Sequence, residues 1–484
     1  MMGNIPQSQA GVRIESLLDE NSFVEIGGLV TARSTDFNLN SKKAPSDGVK
    51  TGYGLINGNP VYVYSQDASV LNGSMGEMHG KKIVKIYELA MKTGAPVIGL
   101  IDSTGVRLEE ATDALAAFGE IYVVMAKASG VIPQITAVMG NCGGGLALVP
   151  AMSDFTFMEE KDGKLFVNAP NTVDGNHVDK CDTSAVDFQS EETGLVDVAA
   201  SEEEIYGKIR TLVSLLPANN EEIAEEECTD DLNRISADIE NAAGDPAVLL
   251  ADIADNHQFF EVKASYGKNM VTGFIRLDGM TVGVVANRSV RYDEEGNEAE
   301  KFDSVLSVRG SKKAAEFVNV CDAFNIPVLS ITNVTGYATC KCAEKGIAKA
   351  AAQLTYAFAN ATVPKVNVIT EKAYGSAYTA MNSKSLGADI VYAWTDAKIG
   401  MMDANSAVKV IYADEIEASD DSAKFIREKA AEYEAENSSV EAAAKRGYVD
   451  TVIEPQDTRK YVIGAFEMLM LKREDRPYKK HGTV

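Results

Sequence analysis

Short unbroken apolar runs alternate along this chain with longer amphipathic stretches. Val131–Met139 is such a run, and its ending in glycine predicts a buried strand. Val97–Ile101 predicts a central strand, with further strands at Phe155–Met158 and Leu195–Ala199. Between them, Ile83, Ile86, Leu89 and Ala90 share one face of a helix over Met78–Thr93, and a second helix is expected over Ala111–Ser129. Near the start, Val12, Ile14, Leu17 and Leu18 give an amphipathic helix, then a turn at Glu20-Asn21 and a short strand at Phe23–Ile26. Asn57-Gly58, set between Asp47–Ile56 and Val61–Ser65, marks a hairpin. A helix over Glu202–Leu216 closes this part of the chain.

The apolar run at 131–139 passes into Gly140-Asn-Cys-Gly-Gly-Gly145, then Leu146–Val149 with Pro150, a helix start or a second packed element. A glycine cluster there lets the backbone turn sharply and present its N–H groups to a ligand. Close helix–strand packing is the alternative use of those glycines. The order recurs as Val363–Ile369, then Lys372-Ala-Tyr-Gly-Ser-Ala377, then Tyr378–Lys384. From Gly105 to Gly336, and from Pro133 to Pro364, the offset is the same 231 residues; from Asn57 to Asp278 it is 221. An indel of about ten residues separates the blocks, and the period is far too long for a solenoid. The chain reads as a duplicated α/β domain of repeated ββα units, with two amide-bearing turns suggesting two oxyanion holes.

Asn219–Asp231, with seven acidic residues, is the natural linker, dividing the chain into domains at 1–225 and 232–484. The second domain repeats the pattern from Asp245 onward. Ala418–Arg446, rich in Ala, Glu and Lys, predicts a solvent-facing helical pair, and a strand at Tyr448–Ile453 and a helix at Lys460–Lys472 precede a basic tail at Arg473–His481.

Composition narrows the function. At 484 residues and a formal charge of −25, the chain suits two globular domains and not a nucleic-acid binder, whose phosphate partner demands a basic footprint. A few lysines and backbone amides can still hold an anionic small ligand. Six cysteines are no disulfide framework, and Cys340-Lys-Cys342 lacks zinc-knuckle spacing, so buried thiols in a reducing compartment are expected. No leader pattern and no apolar run near the ~18–20 residues of a membrane span is present, which predicts a cytoplasmic protein. His79, His177, His257 and His481 are scattered, so no metal site is expected. Gly375-Ser376-Ala377 lacks the full nucleophile elbow. Ala90-Met-Lys92 matches a biotinylation lysine only superficially, because it lies within an amphipathic helix.

An ordered set of motifs spans nearly the whole chain: Ser46–Gly54, Val61–Asp67, Gly73-Ser74, Lys81–Ile83, Gly94–Gly99, Ala128–Gln134, Ala361–Lys365, Lys372–Gly375, Asn382–Lys384 and Arg446–Asp450. In these blocks the sequence resembles the carboxyltransferase component of biotin-dependent acyl-CoA carboxylases. That family includes propionyl-CoA carboxylase β subunits, the transcarboxylase large subunit and methylmalonyl-CoA decarboxylase α subunits.

The resemblance implies two tandem crotonase-like (ClpP/crotonase) domains, the first on the acyl-CoA side and the second on the biotin side. It implies carboxyl transfer between carboxybiotin and a short-chain acyl-CoA, with the thioester and ureido oxygens stabilised by backbone amides. By match to the family, Gly144 and Gly145 form the first hole, and Ser376 and Ala377 the second. Ser103, Thr104, Gly105, Arg107, Gly143 and Lys81 are candidate substrate contacts; Gly375, Tyr337 and Thr379 are candidate biotin contacts. Arg107 is the expected partner of the CoA diphosphate, near a helix N-terminus that favours anions, a salt bridge to a nearby carboxylate being the alternative; Lys43 is a weaker candidate.

Biotin, a biotin carboxyl carrier protein and a biotin carboxylase or decarboxylase subunit must be supplied by separate chains. A homo-oligomer is expected, a hexamer built as a trimer of dimers, in which the N-terminal domain of one subunit faces the C-terminal domain of another. Several positions depart from the family pattern: Thr104 and Val106 add bulk near the acyl-CoA entrance, Thr335–Cys340 lacks a proline and a glycine, and Ser376 and Thr379 are substituted. Two alternatives follow: a biotin-independent crotonase-like acyl-CoA enzyme, and a catalytically reduced assembly subunit.

Overall fold

The structure is a computed structural model that describes residues 8–33, 44–176, 181–293, 295–476 and 482. Lys43, His177 and His481 lie outside the described residues. The chain divides into two compact units, Met1–Ala224 and Glu225–Val484.

In the first unit, strands β1 (Val24–Glu25), β2 (Val49–Ile56), β3 (Asn59–Gln66), β4 (Val97–Ser103), β5 (Gln134–Gly143), β6 (Phe155–Glu159) and β8 (Val198–Ala200) lie in that order across one sheet. The short β7 (Lys164–Phe166) pairs with the far end of β5. The β2–β3 hairpin turns at Asn57 and Gly58, whose φ values of 50° and 81° are those the Asn-Gly turn requires. From β3 onward the pairs are parallel; after the N-terminal helix α1 (Gln9–Leu17), helices α2 (Glu77–Thr93) and α3 (Ala111–Ala128) make the crossovers. Their apolar faces meet the sheet: Ile83, Ile86, Phe118 and Ile121 pack with Val97, Ile101 and Val138. Each such fully buried side chain contributes about 1.5–3 kcal/mol. The helix Glu202–Leu215 starts on a capping box between Ser201 and Glu204.

The second unit repeats this plan. Strands β9 (Phe259–Val262), β10 (Met270–Leu277), β11 (Met280–Asn287), β15 (Val328–Val334), β17 (Lys365–Tyr374), β18 (Ile390–Trp394) and β20 (Thr451–Ile453) form its sheet, with β19 (Lys398–Gly400) on the far end of β17. Two small ribbons, β12 (Val290–Tyr292) with β13 (Glu298–Lys301) and β14 (Val305–Leu306) with β16 (Gly336–Tyr337), lie apart from it. The core joins Val284, Leu329, Ile331, Val366 and Val368 to Leu250, Val462 and Phe466 from the helices Pro246–Ile253 and Thr458–Leu469.

The duplication holds to the register. Val49 pairs with Gln66 in the first hairpin, and Met270 pairs with Asn287 in the second. Tyr62 pairs with Val97, and Gly283 with Val328. A buried lysine sits at the same place in each unit: Lys82 donates to Val49 O, and Lys313 to Met270 O at 2.8 Å.

Two expectations need correction. The helical segment starts at Ala404, ahead of Ala418, and comprises Ala404–Ile411, Ala413–Glu417, Ser422–Tyr433 and Val440–Lys445. Cys340 and Cys342 are joined by a disulfide, not kept as buried thiols; both are exposed, and their Cα atoms are 5.3 Å apart. Of the free thiols Cys142 and Cys321 are buried, as expected, whereas Cys228 is half-buried and Cys181 exposed, against that expectation.

Candidate active site

The site begins with a bulge. Along β4 and β5 the register is regular to Ile101↔Val138, then shifts so that Ser103 faces Cys142. The extra length of β5 reaches past the sheet edge to pair Asn141–Gly143 with β7. There Gly144 takes φ 64°, which a residue without Cβ adopts at little cost, and the chain enters a 3-10 turn over Gly144–Ala147. The N–H groups of Gly144 and Gly145 precede the first bond of that turn, so they have no partner within it. Gly145 is exposed and Gly144 half-buried, between buried Gly143 and Leu146.

The second unit makes the same bend. The β15–β17 register shifts between Thr332 and Val334, placing Val334 opposite Ala373. Gly375 has φ 61°, and the helix Gly375–Ala380 follows. Its first-turn N–H groups, on Gly375, Ser376 and Ala377, have no partner within the helix. Ser376 is exposed, Gly375 half-buried, and Tyr374 and Ala377 are buried. At the 231-residue offset Gly145 therefore corresponds to Ser376, and Ala377 corresponds to Leu146.

The loop after β4 closes on the first turn. Gly105 has φ 103°, and a Cβ there would lie 2.8 Å from Gly143 O. The geometry thus brings Thr104, Gly105 and Gly143 together. Ser103 is buried, and its Oγ accepts the Gly105 N–H at 3.1 Å, so it shapes the turn from inside. Thr104 is exposed and donates to Asn72 O at 3.2 Å.

Arg107 is not placed as expected. Its side chain has no solvent exposure, and its guanidinium is held by Asp47 and by Glu110 at 2.8 Å, with Nη2 on Ser74 O at 2.6 Å. The salt-bridge alternative holds, in a buried form, with the guanidinium engaged by Asp47, Glu110 and Ser74. It locks the loop instead: Met75 and Val106 form a parallel bridge beside it, and Glu110 accepts the Glu77 N–H at the start of α2. Burial pushes the Asp47 carboxyl above its ordinary range even with Arg107 beside it. The neighbouring helix start also disfavours an anion, since Glu109, Glu110 and Asp113 crowd it. Lys81 is exposed on α2 and pairs with Glu77 at 2.5 Å.

In the second unit Tyr337 lies half-buried on β16, which rests against the helix Gly375–Ala380. Thr379 is exposed on that helix, one turn from Gly375, with Oγ1 3.5 Å from Gly375 O. The Ser376 hydroxyl makes no hydrogen bond among the described residues. No group of three or more His, Cys, Asp or Glu side chains gathers where it could hold a metal ion among those residues. No described helix is long and apolar enough to cross a membrane.

Residues absent from the sequence reading also shape the turns. Tyr122 donates to Gly145 O at 2.6 Å, fixing the peptide that follows the exposed amide. Its aromatic place on α3, a few residues before the apolar run, was the available signal. Asp102, at the bulge, accepts the Asn141 N–H at 3.3 Å and pairs with Arg13 at 2.9 Å. Its counterpart Asn333 donates to Glu371 at 2.6 Å and accepts the Lys372 N–H at 3.4 Å.

Known proteins share this architecture. The model of the carboxyl transferase domain matches residues 7–484. The α subunit of methylmalonyl-CoA decarboxylase from Propionigenium modestum is 40% identical over 98% of this chain and 92% of its own length. The propionyl-CoA carboxylase β chain of Roseobacter denitrificans is 41% identical, with the same coverage. A crystal structure of transcarboxylase 12S, a hexamer with hydrolysed methylmalonyl-coenzyme A bound, superposes with a TM-score of 0.90 at 37% identity, covering 98% of this chain and 92% of that one. With two tandem crotonase-like units and a match along nearly its full length, this chain belongs to the carboxyl transferase family and is an acyl-CoA carboxyltransferase.

Proposed function

We propose that the chain moves a carboxyl group between biotin on a separate carrier protein and a short-chain acyl-CoA, using main-chain donors at its two glycine turns. The observation that carries this reading is the register-matched pair of bends, each leaving two or more first-turn N–H groups at the end of a central strand.

The first hole is formed by the Gly144 and Gly145 amides. When the α-carbon of the thioester gives up its proton, negative charge gathers on the thioester oxygen, and preorganised donors there are worth about 2.7–4 kcal/mol each. Tyr122 holds the turn in place from the carbonyl side. The second hole is formed by Ser376 and Ala377. The helix start presents its first-turn donors at the exposed Ser376, where a ureido oxygen would sit, with Gly375, Tyr337 and Thr379 around it. Biotin, when bound, supplies the carboxyl group in transit. Among the described residues no base is hydrogen-bonded to the Ser376 hydroxyl, so the serine acts through its amide. Thr104, Gly105 and Gly143 line the acyl-CoA side, and Lys81 is the cation available to the nucleotide end.

A biotin carboxyl carrier protein and a biotin carboxylase or decarboxylase subunit complete the system. The chain assembles as a homo-oligomer, a hexamer as a trimer of dimers, which the hexameric relative and the exposed Leu108, Leu115 and Leu148 support. Light scattering should give a hexameric mass.

The deciding experiment measures decarboxylation of malonyl-CoA and methylmalonyl-CoA with free biotin, alongside thermal stabilisation by the CoA esters. Biotin-stimulated turnover is expected, and a ligand at 100 times its Kd should add about 2.7 kcal/mol of stability. Stabilisation and turnover without any biotin effect would replace this reading with a biotin-independent acyl-CoA enzyme. Neither effect would leave an assembly subunit.

A further inference from the structure

Cys340 and Cys342 close a disulfide across one residue, on the segment that follows β16 and leads into the helix Ile347–Asn360. A loop this short restricts the unfolded chain least of all, so the bond adds little to the stability of the whole unit and acts on its own segment. Both sulfurs belong to exposed residues, where disulfides exchange readily. Lys341 lies between them and Lys345 follows, cations that favour the thiolate once the bond is reduced. Cys142 and Cys321, by contrast, are buried, and burial pushes both thiols up and out of reactivity. The segment is anchored at one end by Ala338 N–H on Leu306 O and Thr335 N–H on Ser304 O. Cys340 Sγ also accepts the Ala343 N–H at 3.3 Å, and β16 rests against the helix that begins at Gly375.

We propose that Cys340 and Cys342 are a redox-modification site, and that their oxidation state sets the order of residues 338–346 beside the second glycine turn. The co-reactant is a small-molecule disulfide such as glutathione disulfide. One cysteine thiolate attacks it, forming a mixed disulfide and expelling one small thiolate. The second cysteine thiolate then attacks the protein sulfur of that mixed disulfide and expels the other. Two protein thiols are oxidised, one small disulfide is reduced to two thiols, and the two protons pass to the released thiolates.

The full-length protein is equilibrated with glutathione disulfide or with dithiothreitol, alkylated, and mapped by mass. Reduction should add two alkyl groups, on Cys340 and Cys342. Trypsin should then cut at Lys345 about fivefold faster in the reduced form. The Cys340→Ser/Cys342→Ser variant should match that rate under both conditions. Unchanged labelling of the pair would overturn the proposal, as would equal cleavage rates in the two states. Neither readout needs turnover, so failure of the carboxyltransferase reading leaves them standing. Should biotin-dependent turnover exist, its KM for biotin is expected to follow the redox state while stabilisation by acyl-CoA does not.

Discussion

The two glycine turns share a backbone and differ in nearly everything around it. At the 231-residue offset both bulges fall at the same step, both turns begin on a glycine of φ near 60°, and both expose the next residue. The surroundings have diverged. Tyr122 ties down Gly145 O, while Gln353, its counterpart, has a buried Oε1 with no partner. The first loop is locked by Arg107 between Asp47 and Glu110; the matching residues are Ala338, Lys268 and Lys341, which form no such cluster. What both halves kept is a set of first-turn main-chain donors, which no substitution other than proline removes. The first unit holds its turn with buried charge, and the second holds it with packing and a short disulfide-closed segment.

The contrast can be broken most forcefully at Arg107. Arg107→Met leaves the Asp47 and Glu110 carboxylates buried without their cation, and urea unfolding should show a loss of about 3–5 kcal/mol. A loss below about 1 kcal/mol would mean that the first loop is held otherwise. Next in size is removal of an amide. Gly145→Pro and Ala377→Pro each delete one N–H at positions where a first turn tolerates proline, and each should cost about 2.7–4 kcal/mol in kcat/KM. Gly145→Pro should also weaken stabilisation by acyl-CoA, and Ala377→Pro should leave it intact. Identical profiles for the two would erase the division of labour.

A smaller effect separates the units by pH. Asp154 accepts the Gln134 N–H where β5 begins, and burial, with Asp197 nearby, pushes its carboxyl up to about 7. Asp389, which accepts the Lys365 N–H at the start of β17, has Lys472 at 2.8 Å. Because the folded pKa of Asp154 lies above its unfolded value, the folded state holds the extra proton. Its contribution is present below pH 4 and is lost as pH rises to about 7. Asp154→Asn should remove roughly 1–2 kcal/mol of that slope, read as the difference from wild type across pH 4–8. The smallest expected effect is Ser376→Gly, which makes the second turn more like the first and should change turnover by less than about twofold. If Ser376→Gly and Ser376→Ala both lost about a thousandfold, about 4 kcal/mol, the hydroxyl would be part of the chemistry.

The strand that carries the first turn was legible as a mostly apolar run ending in glycine, and the 231-residue offset exposed its more polar counterpart, Lys365–Tyr374, before any coordinates. Asn57-Gly58 announced its hairpin through the positive φ that those residues accept. Three-residue strands such as β7 and β19 are too short to have a period, and Glu298–Lys301 is too charged to read as the strand it forms. The fate of Arg107 turned on Asp47, 60 residues away, and distance along the chain hides such pairings even though Glu110, at i+3, was in view. Tyr122 escaped for the same reason, its partner being a carbonyl 23 residues on. The Cys340–Cys342 bond depends on two side chains turning to the same side of a loop, which no spacing rule encodes.

The helices from Ala404 to Tyr433 have a small core of their own, Ala404, Val408 and Ala430 with Tyr412, Ile416, Ile426 and Tyr433, whereas Val440 and Ala443 of the next helix join Ile369 and Ala373 of β17 in another core. So few buried groups cannot bind this segment into the cooperative melting of the whole unit. Its amides should therefore exchange with deuterium through local opening before those of β15 and β17. Met401, just ahead of that segment, places its carbonyl oxygen 3.2 Å from where a Gly375 Cβ would be, next to the second turn. The second turn thus lies near a thinly buried neighbour, while the first is set beside buried ion pairs.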